Sequence, residues 1–372
     1  MFLTPKTNYL NKLITFFTAP KPIIMKTKKS IQQRRSFLKK TTALIAGTTL
    51  LGPSVFGARS FLSFTPQLNS KINGVQMGLI TYSFRSMPDQ SAEATLHYIL
   101  DTGINAVELM GDPAEQYAGK PESPVNRMAF YGLMRRKRNN ELNDEEEKEF
   151  IEMQSKLEAY SKTVAAWRAT VSMDKFVALR KMYNDAGVNI YAFKPNAFGK
   201  DNTDEEINWG MKAAKALGAS HVTLEHPSDD AHTLKLGQMA EKHDVFVAYH
   251  GHEQQTPTFW DTALEQSSHN ALNLDLGHFV AAGNEAPLEI VREKHSHIKS
   301  MHLKDRQTPE HDKGNVLWGT GDTPIVEVLQ LMRDNKYTFP VTIELEYDIP
   351  EGSDAVQEVK KCLAYAKNAL ES

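Results

Sequence analysis

The sequence predicts a (β/α)8 barrel, and three observations predict it. From residue 74 onward, short apolar runs alternate with helical patterns, and eight such runs can be counted. Each is brief and nearly continuous in apolar side chains, as strands covered on both faces are. Eight strand–helix units over roughly 300 residues match a fold of typically ~250 residues plus extras. The rival is an open doubly wound sheet. No Gly-x-Gly-x-x-Gly follows the first run, which disfavours its dinucleotide-binding form.

Taken in order, the strands are expected at Val75–Thr81, Ile104–Leu109, Val188–Phe193, Ser220–Leu224, Val245–His250, Leu272–Leu276, Ile298–Leu303 and Val341–Leu345. Gly103, Gly187 and Gly218 stand where left-handed helix C-caps belong. A last helix is expected over Asp354–Leu370, with Cys362 on its core-facing side. Nearly eighty residues separate the second and third strands. They hold the run Arg135-Arg136-Lys137-Arg138, then Asn143-Asp144 as a helix start, then a long charged helix to about Trp167. An enlarged helical insertion over 112–170 is the expectation, with the charge run on a solvated face.

The barrel is expected over 74–372, and the residues before it read differently. Residues 1–58 hold ten Lys/Arg and no acid, and the first acidic residue is Asp89. Arg34-Arg35-Ser36-Phe37-Leu38-Lys39-Lys40 leads into a weakly apolar run, Thr41–Ala58, that ends in small residues. A basic stretch, a short apolar run and a small-residue exit are the parts of an export signal. The twin arginine makes it resemble a Tat signal, which implies an exported, periplasmic protein. The apolar run is too short for a comfortable span, so no stable membrane anchor is expected. Met25 stands as an alternative start, and residues 59–73 read as a flexible lead-in. Without the first 58 residues, 33 basic side chains face 46 acidic ones. An acidic body repels phosphate backbones and argues against nucleic acid as a partner. One cysteine excludes an internal disulfide and any cysteine-based zinc cluster.

The chemistry concentrates late in the chain. Of thirteen histidines, only His97 precedes residue 221. In a barrel, reacting groups sit at the carboxyl ends of strands. The fifth strand ends Tyr249-His250-Gly251-His252-Glu253, and His250 and His252 share a face there. The sixth ends Asp275-Leu276-Gly277-His278, the seventh His302-Leu303-Lys304-Asp305, and the eighth Glu344-Leu345-Glu346. A lone histidine at a strand end is most often a hydrogen-bonded core residue. Four successive strands delivering imidazole and carboxylate to one rim point instead to a divalent cation, which needs nitrogen and oxygen donors converging from separate elements.

The order His-x-His, Asp-x-Gly-His, His-Leu-Lys-Asp, Ile-Glu-x-Glu resembles the xylose-isomerase-like barrels. The likeness spans about residues 75–368 and is strongest from Val245 to Glu346; Tyr82-Ser83-Phe84-Arg85 also fits. That superfamily holds sugar isomerases and epimerases, inosose dehydratase and endonuclease IV. In the epimerase branch Glu, Asp, His and Glu from strands five to eight hold one metal ion. The last three correspond to Asp275, His302 and Glu344. The first departs, since the fifth strand offers His250 or His252, and the pair of glutamates that works as acid and base in the epimerases is then incomplete. Glu225, in Thr223-Leu224-Glu225-His226-Pro227, is a replacement carboxylate; a helix cap or ion pair is its ordinary alternative.

The resemblance implies a metal-dependent carbohydrate isomerase or epimerase that works through an enediolate on a sugar or keto-sugar. One divalent ion (Mn²⁺, Co²⁺, Mg²⁺ or Zn²⁺) would polarise a carbonyl, and a carboxylate or imidazole would take the neighbouring proton. His250, Asp275, His302 and Glu344 are the candidate ligands, with His278 as a further one. Glu225, His252, Glu344 and Lys194 are the candidate catalytic residues. Lys304, Trp318 and Glu346 are candidates for touching substrate; Lys304, two residues past His302 on the same face, could instead pair with Asp275 or Glu346, and for Trp318 a hydrophobic plug over the rim is the equal alternative. Expulsion of a β-oxygen after the same first step would make the protein a lyase or dehydratase on keto-sugars, keto-glycosides or inosose. The third alternative is a non-catalytic sugar-binding barrel. A repair endonuclease would need histidines from early strands, and strands ending Glu108-Leu109 and Phe193-Lys194 offer none. A small-molecule carbohydrate is the expected partner, and homodimerisation is left open.

Overall fold

The computed structural model describes residues 68–372. Eight parallel strands close into a barrel: β1 (Val75–Ile80), β2 (Ala106–Met110), β3 (Asn189–Lys194), β4 (His221–Glu225), β5 (Phe246–His250), β6 (Asn270–Asp275), β7 (Ile298–Leu303) and β8 (Val341–Ile343). Hydrogen-bonded neighbours run β1-β8-β7-β6-β5-β4-β3-β2, and β2 returns to β1. Closure leaves no unpaired strand edge. Every predicted strand is present, β7 with its predicted ends and the others with one or both ends shifted by one or two residues.

The Arg34–Lys40 signal motif, Thr41–Ala58 and the alternative start at Met25 lie outside the described residues. Residues 70–72, expected in a flexible lead-in, are built onto the barrel. Lys71–Ile72 pair antiparallel with Gln76 and Val75. Ser70 is buried, and its hydroxyl donates to the Met77 carbonyl at 2.6 Å. Among the described residues, no helix is long and apolar enough to cross a membrane.

Helices surround the strands: α1 (Ala92–Thr102), α2 (Gly111–Tyr117), α3 (Arg127–Arg138), α4 (Asp144–Thr170), α5 (Asp174–Asp185), α6 (Asp204–Leu217), α7 (Asp230–His243), α8 (Asp261–Gln266), α9 (Leu276–Ala281), α10 (Pro287–Lys294), α11 (Ile325–Asn335) and α12 (Ala355–Glu371). The glycines act as expected. Gly103 and Gly218 cap α1 and α6 at φ +83° and +78°, and Gly187 turns left-handed just past α5. Such angles strain a side chain with a Cβ.

Four helices occupy residues 111–188, between β2 and β3. Asn143 starts α4 with a capping box, accepting from the Glu145 and Glu146 amides while the Glu146 side chain reaches back. This helix buries only Phe150, Val164 and Arg168, so apolar burial alone attaches it weakly. Arg168 fastens it instead. Its guanidinium reaches Glu206 of α6 at 2.8 Å and Glu115 of α2 at 3.2 Å, and lies over the Trp209 ring at 4.6 Å. The basic run on α3 is not left wholly to solvent: Arg136 and Lys137 pair with Glu146 and Glu147 of α4, and Phe130 stacks on Phe150 at 5.2 Å.

Inside the barrel, Tyr191 of β3 sends its hydroxyl to Thr342 of β8 at 2.7 Å. A Cβ on Gly78 of β1 would come within 2.8 Å of the Tyr191 ring, so this strand needs glycine to admit it.

Candidate metal centre

Side chains alternate across a strand, and the chemistry falls on one alternation. β4 carries His221, Thr223 and Glu225; β6 carries Asn273 and Asp275; β7 carries Ser300 and His302, continued by Lys304. His250 ends β5, with His252 two residues on, and Glu344 follows β8, with Glu346 two residues on. One donor atom each from His250, Asp275, His302 and Glu344 lies within 4.8 Å of the others. All four side chains are buried. His250 Nε2 is 3.7 Å from Asp275 Oδ2, His302 Nδ1 is 3.9 Å from the same oxygen, and His302 Nδ1 is 2.8 Å from Glu344 Oε2.

The local sequence explains the aim of Asp275. The chain passes straight from β6 into α9, and Asp275 caps that helix by accepting the His278 amide on Oδ1 at 2.7 Å. Oδ2 is thereby turned to the centre, where it is buried without a hydrogen bond. The Lys304 ammonium, 3.0 Å away, makes an ion contact outside hydrogen-bond angles. A buried carboxylate oxygen lacking a donor suits a cation. Gly277 of Asp-x-Gly-His is needed for a different reason: a Cβ there would meet the Lys304 backbone oxygen at 2.7 Å.

A second group, His250, His252 and His278, also brings three donors within 4.8 Å. Its chemistry is less suitable. Arg306 donates to His278 Nδ1 at 2.5 Å, and the Lys304 ammonium stands 3.2 Å from His278 Nε2; neither cation has a lone pair to accept a hydrogen. Both His278 ring nitrogens therefore already face cationic donors, which a metal ion would have to displace. The four-residue group brings two imidazoles and two carboxylates from successive strands, the donor set that suits a divalent ion.

Charge is dense here. Burial opposes the charged form of His302, but Glu108 and Glu344 on its two sides outweigh this and raise it to about 10. Burial would raise Glu108, yet His302 holds it at about 2. Burial likewise opposes ionisation of Glu344, and Lys304 and His302 nevertheless hold it well below the usual carboxylate range. Burial pushes Asp275 up, against the pull of Lys304. Binding a metal through His302 Nδ1 would release a proton, as metal uptake by imidazole requires.

The remaining predicted residues divide in two. Glu225, His252 and Lys194 form a layer beside the four, with side chains about one-fifth exposed. Lys194 Nζ is 2.9 Å from Glu225 Oε1, and His252 Nε2 is 3.8 Å from Glu225 Oε2. Burial opposes the Glu225 charge, and Lys194, His250 and His252 more than restore it. Lys304, expected on the substrate, is 2% exposed. Its ammonium contacts Glu344 at 2.6 Å, and Asp275 and Glu346 at 3.0 Å each. Trp318 stands apart: it meets Tyr365 of α12 edge-on. The Gly319-Thr320-Gly321 turn beside it folds around a carboxylate of the chain itself, with all three amides donating to Asp305 Oδ2 at 2.7–3.1 Å.

Sequence reasoning missed Glu108, which is fully buried on β2. A carboxylate within Ala106-Val107-Glu108-Leu109-Met110, a run otherwise apolar, was the available signal. It also gave no role to Asn273 or to Arg306, whose partners are distant in the chain.

A family profile for the xylose isomerase-like TIM barrel matches residues 150–366. Solved structures agree in fold. A sugar phosphate isomerase/epimerase from Parabacteroides distasonis is 16% identical, with a TM-score of 0.52 over 80% of this chain and 96% of that one. D-psicose 3-epimerase from Clostridium cellulolyticum is 11% identical, with a TM-score of 0.51 over 80% and 100%. A probable 3-DHS dehydratase from Bacillus anthracis is 13% identical, with a TM-score of 0.52 over 78% and 98%. At these identities the likeness is one of fold. No curated protein matches the sequence. The profile covers more than half of the chain, and the protein belongs to the xylose isomerase-like TIM barrel family.

Proposed function

We propose that this protein is a metal-dependent carbohydrate isomerase or epimerase acting on a sugar or keto-sugar. The observation that carries the reading is the convergence of His250 Nε2, Asp275 Oδ2, His302 Nδ1 and a Glu344 oxygen, with Asp275 Oδ2 buried and accepting no hydrogen bond. These four would hold one divalent ion. When bound, such an ion polarises a carbonyl oxygen and eases loss of the proton on the neighbouring carbon.

The chain's own residues supply the proton chemistry. Glu225 is the base: Lys194 keeps it ionised, and its Oε2 is buried without a hydrogen-bond donor. His252 faces that oxygen and exchanges the proton. Glu346 binds a substrate hydroxyl from the opposite wall. Lys304 balances the carboxylates around the ion and does not reach the substrate. The Arg34–Lys40 motif directs export, so free sugars suit the site better than phosphorylated ones. Lyase chemistry is the second reading. It is favoured by His250 standing on β5, which leaves Glu225 without a matching glutamate on that strand.

The test is solvent deuterium exchange into candidate sugars and keto-sugars. The manganese-loaded protein is expected to label the carbon beside the carbonyl, and Glu344→Gln and metal-stripped protein are expected to lose the labelling. Loss of a hydroxyl together with labelling would select the lyase. A metal-loaded protein that binds sugar and never labels it would make the barrel a binding protein.

A further inference from the structure

Glu108 contacts His302 directly and is linked to His250 through Asn273. A carboxylate accepts hydrogen bonds. Three donors meet it: Thr223 Oγ1 at 2.6 Å on Oε1, and His302 Nε2 at 2.7 Å and Asn273 Nδ2 at 3.2 Å on Oε2. The contact with Asn273 decides how that amide faces. Its NH2 turns to Glu108 and to Ser300 Oγ at 2.6 Å, and its Oδ1 turns to His250 Nδ1 at 2.8 Å. An amide oxygen only accepts, so His250 carries its hydrogen on Nδ1 and its lone pair on Nε2. That lone pair faces Asp275 Oδ2. On His302 the same carboxylate takes the Nε2 hydrogen and leaves Nδ1 toward Glu344 and Asp275. Asparagine is suited to the relay because it presents a donor on one side and an acceptor on the other.

We infer that Glu108, directly on His302 and through Asn273 on His250, is a positioning residue that sets both imidazoles with a ligating nitrogen turned inward. The inference about tautomers stands on hydrogen-bond chemistry alone; its consequence for metal rests on the function proposed above.

The experiment is nitrogen-15 NMR of histidine-labelled, metal-free protein, followed by titration with Co²⁺. In the wild type, His250 is expected as the single Nδ1–H tautomer. Asn273→Leu and Glu108→Leu should lose that tautomer. Glu108→Gln, whose amide oxygen can still accept from Asn273 and His302, should restore it. Thr223→Val, which removes a bond to the same carboxylate but none to a histidine, should keep it. Co²⁺ affinity should fall about 10–100-fold in Glu108→Leu, as for outer-shell partners of metal-bound histidine, and stay at the wild-type value in Thr223→Val. If Glu108→Leu does not fold, the wild-type and Asn273→Leu spectra decide. A wild-type His250 protonated on Nε2, or an unchanged tautomer in Asn273→Leu, overturns the inference. The expected tautomers in a protein that takes up no cobalt would uphold it and sink the metal reading instead.

Discussion

His250 and His278 are both buried histidines beside Asp275, yet hydrogen bonding assigns them opposite capacities. His250 receives an acceptor at Nδ1 and keeps its Nε2 lone pair. His278 meets Arg306 at Nδ1 and the Lys304 ammonium at Nε2, so both of its nitrogens are taken up by cationic donors. Burial depresses both pKa values, and the partners of the ring nitrogens separate the two residues. His250→Ala should therefore lose Mn²⁺ affinity about 100-fold or more, beyond the ~10–100-fold typical of outer-shell partners. His278→Ala should stay within about 10-fold of the wild type. Isothermal titration checks this, and the reverse order would exchange the two groups as metal ligands. The sequence placed both histidines on the rim because strand ends are visible as the close of an apolar run. It could not rank them, since Arg306 and Asn273 reach them through space.

At the scale of elements, α4 shows what replaces an apolar stripe when a long helix is mostly charged. Arg168 ties it to α2 and α6 through Glu115 and Glu206. Breaking one partner out of a buried pair costs about 3–5 kcal/mol. Arg168→Ala should lower the unfolding free energy by about that amount in urea titration; a loss under about 1 kcal/mol would mean the pairing is replaceable. The same region gives a pH dependence. Burial alone would raise Asp112, but Arg127 and Lys120 outweigh it and hold the carboxyl below its ordinary value. A depressed folded-state value stabilises the fold above the unfolded pKa of about 3.9, and that contribution is lost as pH falls through the folded value. Acid melting curves should show the difference between wild type and Asp112→Asn shrinking below about pH 4. A constant difference would remove Asp112 from the acid response. The helix itself was legible, because Asn143-Asp144 marks its start and a long charged run follows. Its docking was not, because Arg168, Glu115 and Glu206 belong to three separate helices.

For the whole molecule, closure of eight strands converts a sequence pattern into a site. Polar residues two apart at successive strand ends become neighbours only when the strands form a ring, and β5 to β8 bring four of them to one point. The fold was readable because each strand is apolar on its helix-facing side and glycines mark helix ends. The rim residues were readable because they end those strands. Glu108 was obscured by the same logic: it sits inside an apolar strand, and its partners on β4, β6 and β7 are assembled by closure. Lys304 shares the inward face of β7 with His302, but its burial among three carboxylates depended on how β8 lay alongside.

On the proposed function, His250, Asp275, His302 and Glu344 grip one cation. Anomalous diffraction from crystals soaked in Mn²⁺ tests it most directly. A single strong peak bonded to His250 Nε2, Asp275 Oδ2, His302 Nδ1 and a Glu344 oxygen is expected, absent from Asp275→Asn crystals. No peak there, or one held by His252 and His278 instead, would contradict it.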